Sequence, residues 1–147
     1  MKRMIMVLCL LVPGAVFAAG GGCEGVSRKE SAPSLQEIKR TIDSQKYSEA
    51  VIQLKSFIKN NPKNADAYNY LGFSYRKSGN LPEAFKAYEK ALEIDPRHLG
   101  AHEYLGEAYL QKKEPEKAKA TLNKLKGICG NCAEARDLEK AIAAYKK

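Results

Sequence analysis

Residues 65 to 98 read ADAYNYLGFSYRKSGNLPEAFKAYEKALEIDPRH, and the spacing within this stretch decides the fold. Tyr68, Leu71, Gly72 and Tyr75 recur at intervals of three and four, which places them on one face of a helix. Ala84, Tyr88 and Ala91 do the same on a second helix. Between them, Gly79-Asn80 makes a turn, because both residues tolerate the left-handed backbone that a helix end needs. Asp95-Pro96 stops the second helix, since proline cannot continue it and disfavours helical backbone before it. Gly72 and Ala84 are small where the two helices must approach closely, and Tyr75 and Tyr88 are placed to fill the space between them.

The pattern extends outward. Ala50, Ala84 and Ala118 are each 34 residues apart, and residues 31–64, 65–98 and 99–132 align in that register without a gap. The third unit keeps His102, Leu105, Gly106, Tyr109, Ala118 and Leu122, with Lys113 in place of the turn glycine and Gly130 in place of the closing proline. The first unit keeps Ala50, Phe57 and Pro62, but Ser34, Glu37, Ile38 and Thr41 replace the residues that mark the first helix. Leu35, Ile38 and Ile42 still recur at helical spacing and are expected to dock on Val51, Leu54 and Ile58. Helices are therefore expected at 34–45, 48–60, 65–78, 81–94, 99–112, 115–127 and 132–146. The last, residues 133–147 with Leu138, Ala141, Ile142 and Tyr145 in one stripe, reads as an amphipathic cap on the end of the stack.

Tyr68, Leu71, Gly72, Tyr75, Ala84, Tyr88, Ala91 and Pro96 together resemble the tetratricopeptide-repeat pattern. That resemblance implies an all-α helical solenoid of three helix-turn-helix repeats plus a C-terminal capping helix. It also implies a non-enzymatic scaffold that binds another protein or a peptide in the groove lined by the first helix of each repeat. The groove positions of the family are the second, fifth, ninth, twelfth and thirteenth of each unit. Carried onto this chain they expect solvent-facing Lys39, Asn69, Phe73, Arg76, Lys77, Glu103, Glu107 and Leu110, with Phe73 and Arg76 as the centre. Some members hold a partner's terminal carboxylates with lysine and asparagine. Here Glu103 and Glu107 occupy third-unit positions where positive or neutral groups would stand, so a partner with basic as well as acidic features fits better. Self-association through an exposed end of the stack is the alternative. Residues 101–106, the cysteine pair and the final stripe are similar to small exported bacterial proteins of the same family.

The remaining sequence bears on where the chain works. Of 147 residues, 29% are charged, and the net charge is +8. Lys and Arg alternate with Glu along the helices, as on a solvated surface, and no Arg-rich run or aromatic ribonucleoprotein motif points to nucleic acid. Residues 1–19 have Lys2 and Arg3, an apolar run from Met4 to Val12, a Pro13-Gly14 break and small residues up to Ala19, which is a signal-peptide layout. Cleavage after Ala18 gives a free periplasmic or secreted protein. A leader ending at residue 22 instead makes Cys23 the lipidated first residue of a membrane-anchored lipoprotein, although Gly20 stands where such a box carries leucine. An uncleaved anchor is the third alternative. Residues 20–33, rich in Gly and Ser, read as a flexible linker.

Cys129-Gly130-Asn131-Cys132 offers two readings. In an exported protein a local disulfide that sets the departure angle of the cap is the default; a thiol-disulfide exchange site is the alternative. Ala133 stands where haem attachment requires histidine. His98 and His102 do not read as metal ligands, because His102 holds the place of a packed aromatic and His98 lies in a turn. No catalytic constellation, phosphate loop or cofactor motif is present in the sequence.

Overall fold

A computed structural model describes residues 32–145; the leader, Cys23 and most of the linker expected above lie outside the described residues. Among them are seven helices and no strand: α1 (Leu35–Asp43), α2 (Tyr47–Asn60), α3 (Ala65–Lys77), α4 (Leu81–Ile94), α5 (Leu99–Gln111), α6 (Pro115–Cys129) and α7 (Ala133–Ala144). The fold is an all-α solenoid of helix-turn-helix units, and every boundary falls within two residues of the expected one.

Local chemistry fixes the helix starts. Ser34 and Glu37 form a reciprocal capping box on α1. Asn64 accepts from the Ala67 amide at 2.8 Å and Asn80 from the Glu83 amide at 3.4 Å. His98 takes the same role on α5: its Nδ1 accepts from the Ala101 amide at 3.1 Å, which leaves Nε2–H to donate to Asp66 Oδ1 at 3.1 Å. His102 is buried and its Nε2 donates to the Pro96 carbonyl at 3.0 Å, so both histidines organise the junction between successive units.

The turn inside each unit is the same whatever residue occupies it. Gln45, Gly79 and Lys113 all have positive φ, at 59°, 85° and 63°. Each is followed by an amide that reaches back to the carbonyl five residues earlier: Lys46 to Thr41, Asn80 to Tyr75 and Glu114 to Tyr109. The loss of glycine in two of three turns changes the energy of the turn and leaves its shape.

Packing runs continuously along the stack. Ile38, Ile42, Ala50, Leu54, Ala67, Leu71 and Ala87 form the first core cluster, with Leu35, Val51 and Ile58 packed against it, so α1 does dock on α2. Ala84, Tyr88, Leu105 and Ala108 form the second, and Leu122, Leu125, Ala135 and Leu138 the third. Gly72 lies so close to the buried ring of Tyr88 that a Cβ there would meet it at 2.5 Å. Gly106 is closed off differently, by Leu138 of α7. That helix covers the end of the third core cluster, as a cap must, but it also lies beside α5 in the row formed by α1, α3 and α5.

Candidate functional site

The first helices of the units, α1, α3 and α5, form one face of the stack, and α7 continues it. Starts at Ala65, Leu99 and Ala133 are 34 residues apart, and Ala67, Ala101 and Ala135 are fully buried at the same position of each helix. α7 therefore stands where the first helix of a fourth repeat would stand. The groove register applied to it gives Glu134, Asp137, Ala141, Ala144 and Tyr145, none of which the three-repeat reading included. The recurring alanine was a sufficient signal; the absence of a Leu-Gly pair, replaced by Glu139-Lys140, obscured it.

The centre of this face is aromatic. Phe73 lies between Tyr47 and Tyr104, with ring centroids 6.1 and 5.0 Å away. The Arg76 guanidinium sits 5.4 Å from the Phe73 ring and 5.7 Å from that of Tyr104. Its Nη2 reaches Glu107 Oε2 at 2.6 Å, and its Nε donates to the Tyr88 hydroxyl at 3.4 Å. Burial raises the Tyr88 hydroxyl pKa far above its ordinary value, so it stays neutral beside the cation, and pushes that of Tyr104 up to about 12.

Three residues expected to face solvent do not. Arg76 is buried because Glu107 and the two rings enclose it; Asn69 is buried because the first turn of α5 crosses it, with Gly100 leaving just the space its amide needs. Leu110 is buried near α7, whose small side chains share a cavity with it. Lys39 and Lys77 are exposed as expected: Lys39 pairs with Asp43 at 2.8 Å, and Lys77 Nζ lies 6.0 Å from both the Tyr47 and Phe73 rings. Phe73, Glu103 and Glu107 are half-buried.

Between α3, α5 and α7 an open cavity of about 400 Å³ is lined by Arg76, Glu107, Leu110, Ala141, Ala144 and Tyr145. One turn before Glu107, Glu103 has its pKa pushed up to about 7, first by burial and then by Glu107, Asp137 and Glu134, with Arg76 opposing weakly. The face thus carries free positive charge at Lys77 and a concentration of negative charge towards α7. Cys129 and Cys132 meet as a bonded pair with Cα atoms 5.7 Å apart, at the junction of α6 and α7 and packed on the third core cluster.

Comparison with known proteins agrees with this architecture. Two tetratricopeptide-repeat models match, one over residues 35–98 and the other over residues 75–142. The Hsp70-Hsp90 organizing protein 1 of Glycine max is 39% identical over 77 residues, which are 52% of this chain and 14% of that protein. The uncharacterized protein ycf37 of Pyropia yezoensis is 31% identical over 109 residues, or 68% of this chain and 61% of its own length. The chain thus spans a small part of the organizing proteins it matches. Among solved structures, the TPR2B domain of yeast Sti1 in complex with pHsp70 superposes with a TM-score of 0.67 at 25% identity, covering 74% of this chain and 89% of that domain. With both repeat models spanning its helices and the 34-residue register continuing into α7, the chain belongs to the tetratricopeptide-repeat family.

Proposed function

We propose that this chain is a non-enzymatic interaction scaffold that holds a peptide or protein partner on the face of α3, α5 and α7. The observation that carries the reading is the open cavity on that face, flanked by a rigid aromatic and charged centre. A groove with preformed walls lowers the ordering cost of binding. Its likeness to the TPR2B domain of Sti1, which was solved in complex with pHsp70, supports the same reading. We further propose that the chain works in the periplasm or cell envelope, a reading supported by the signal-peptide layout of residues 1–19, with Cys23 as the lipid attachment in its anchored variant.

The test uses a photocrosslinking amino acid at Lys77 or Ala144 on this face and at Lys124 on α6 as a control. A partner captured from cell envelopes at the first two sites and absent at the third supports the scaffold. Equal capture at all three counts against the face. Arg76 is unsuited to such a test, because Arg76→Glu would oppose Glu107 inside the stack and disturb the fold. Intact mass of the chain purified from cells distinguishes cleavage after Ala18 from a lipid adduct on Cys23.

A second reading, thiol-disulfide exchange, has one observation in its favour. Cys132 is the N-cap of α7 and no side chain caps that helix, so a released Cys132 thiolate would face unpaired backbone amides. Catalysed reduction of insulin by dithiothreitol in the presence of the chain, lost in Cys132→Ser, is its test.

A further inference from the structure

The charges on the inner face are mostly used within it. Lys39 is paired with Asp43, Arg76 with Glu107, and Asp66 with His98. Asp137 pairs with the exposed Lys140, at 3.0 Å. Glu103 and Glu134 have no ion-pair partner among the described residues, and Glu103 is half-buried while facing Glu107 on its own helix and Asp137 and Glu134 on α7. Arg76, on α3, is the cation in its field, and that guanidinium is already engaged by Glu107. Glu103 on α5 and Asp137 and Glu134 on α7 hold inner-face positions of two helices packed side by side, with Glu107 one turn along, so their like charges oppose folding in the free protein. Such local conflicts concentrate at functional surfaces.

From one turn further along α5, where Glu107 borders it, the cavity is apolar where α7 presents Ala141 and Ala144 in place of long side chains, with Leu110 and Tyr145 as further apolar walls. Glu103 and Leu110 are seven residues apart on α5, a rise of about 10 Å. An extended chain spans that distance in about three residues.

We propose that the inner face selects a partner segment with a lysine or arginine about three residues from an apolar side chain, the cation held by Glu103, Asp137 and Glu134 and the apolar group seated among Leu110, Ala141, Ala144 and Tyr145. This deepens the scaffold reading and rests on it. The cation supplies the counter-charge that the free face lacks, so it is recognised where an acidic peptide is repelled. Binding also draws the Glu103 carboxyl into its ionised form, and complex formation near neutral pH releases protons.

A random-peptide display library selected against the full chain tests this. The expected result is enrichment of segments with a basic residue near an apolar one. A synthetic member of that set should bind the wild type about tenfold tighter than the Glu103→Gln, Asp137→Asn variant, and should lose affinity as pH falls below about 7. An Ala144→Trp variant, which fills the cavity from an exposed position, should bind none of them. Peptides that require the open cavity but carry acidic residues, or bind the Glu103→Gln, Asp137→Asn variant equally, overturn the cation assignment and leave the scaffold reading standing. Failure to enrich any peptide, or equal binding to Ala144→Trp, overturns both. Circular dichroism on each variant verifies that the comparison is between folded proteins.

Discussion

The Arg76 guanidinium of α3 and the Glu107 carboxylate of α5, 2.6 Å apart and largely covered by the rings of Phe73 and Tyr104, join two successive units across the inner face. The ion pair belongs to the fold before it belongs to any binding event. Removing one partner leaves the other charge enclosed and uncompensated, which is the expensive way to lose such a pair.

Arg76→Ala should therefore lower stability by about 2–4 kcal/mol, with Glu107→Gln milder because the amide still accepts a hydrogen bond and Glu107 keeps some solvent access. Urea unfolding of the two single variants and the double variant measures it. The double should lose clearly less than the two singles added; strict additivity would mean the two side chains are not coupled.

The close approach at Gly72 gives a second test. Alanine there would place a Cβ 2.5 Å from the fully buried Tyr88 ring, which has no room to move. Overpacking of that kind costs about 1–3 kcal/mol and should outweigh the roughly 1 kcal/mol that alanine gains over glycine in a helix. Gly106→Ala meets Leu138 instead, so its effect should concentrate on α7. Hydrogen exchange should show α7 amides opening in Gly106→Ala while α3 and α4 open in Gly72→Ala.

How much of this was legible in advance follows from which interactions are local. Helices, turns and the core alanines recur with the 34-residue period, so residues 65–98 alone sufficed to place them. Phe73 and Lys77 could be assigned to the inner face by register. The burial of Asn69, Arg76 and Leu110 could not, because it depends on what the next helix in the row contributes: Gly100 against Asn69, Glu107 and Tyr104 against Arg76, α7 beside Leu110. The shift at Glu103 is partly of the same kind: burial is its first cause and Glu107, one turn along α5, its second, and to these α7 adds Asp137 and Glu134, 30 and more residues further along the chain.

Glu103 predicts a pH dependence with a definite sign. Its folded pKa, about 7, lies above the ordinary value of 4.5, so between those values the folded state binds more protons than the unfolded one. Its contribution is thus fully present below about 4.5 and declines as pH rises through about 7. Replacing it with Gln should flatten that decline and stabilise the chain at mildly alkaline pH by about 1 kcal/mol, the figure being reduced for solvent screening of a half-covered group. Thermal unfolding of wild type and Glu103→Gln across this range checks it; parallel curves would show that Glu103 titrates normally.

The bonded cysteines should matter more for α7 than for the whole stack. A loop of four residues restricts the unfolded chain only slightly, worth about 2 kcal/mol in the chain-entropy description. The Cys129→Ser, Cys132→Ser variant should therefore remain folded with a modestly lower Tm. Faster hydrogen exchange should appear in α7, whose departure from α6 the bond holds. If the whole helical stack melted on reduction, the pair would be a global staple.

The turns supply the opposite kind of change, one that should stabilise. Lys113 and Gln45 hold the left-handed backbone that Gly79 adopts at the equivalent position, with φ of 63° and 59° against 85°. A side chain in that region is opposed by about 1 kcal/mol or more through its Cβ, whereas glycine is not. Glycine gives back part of the advantage through the greater freedom of its unfolded chain. Lys113→Gly should therefore gain about 0.5–1 kcal/mol, and Gln45→Gly a similar amount. The converse change, Gly79→Ala, should lose stability even though no atom lies within 4 Å of the added Cβ. Urea midpoints of the three variants test the set together: a gain at 113 and 45 with a loss at 79 follows from backbone conformation alone, since all three turns share the same amide-to-carbonyl hydrogen bond.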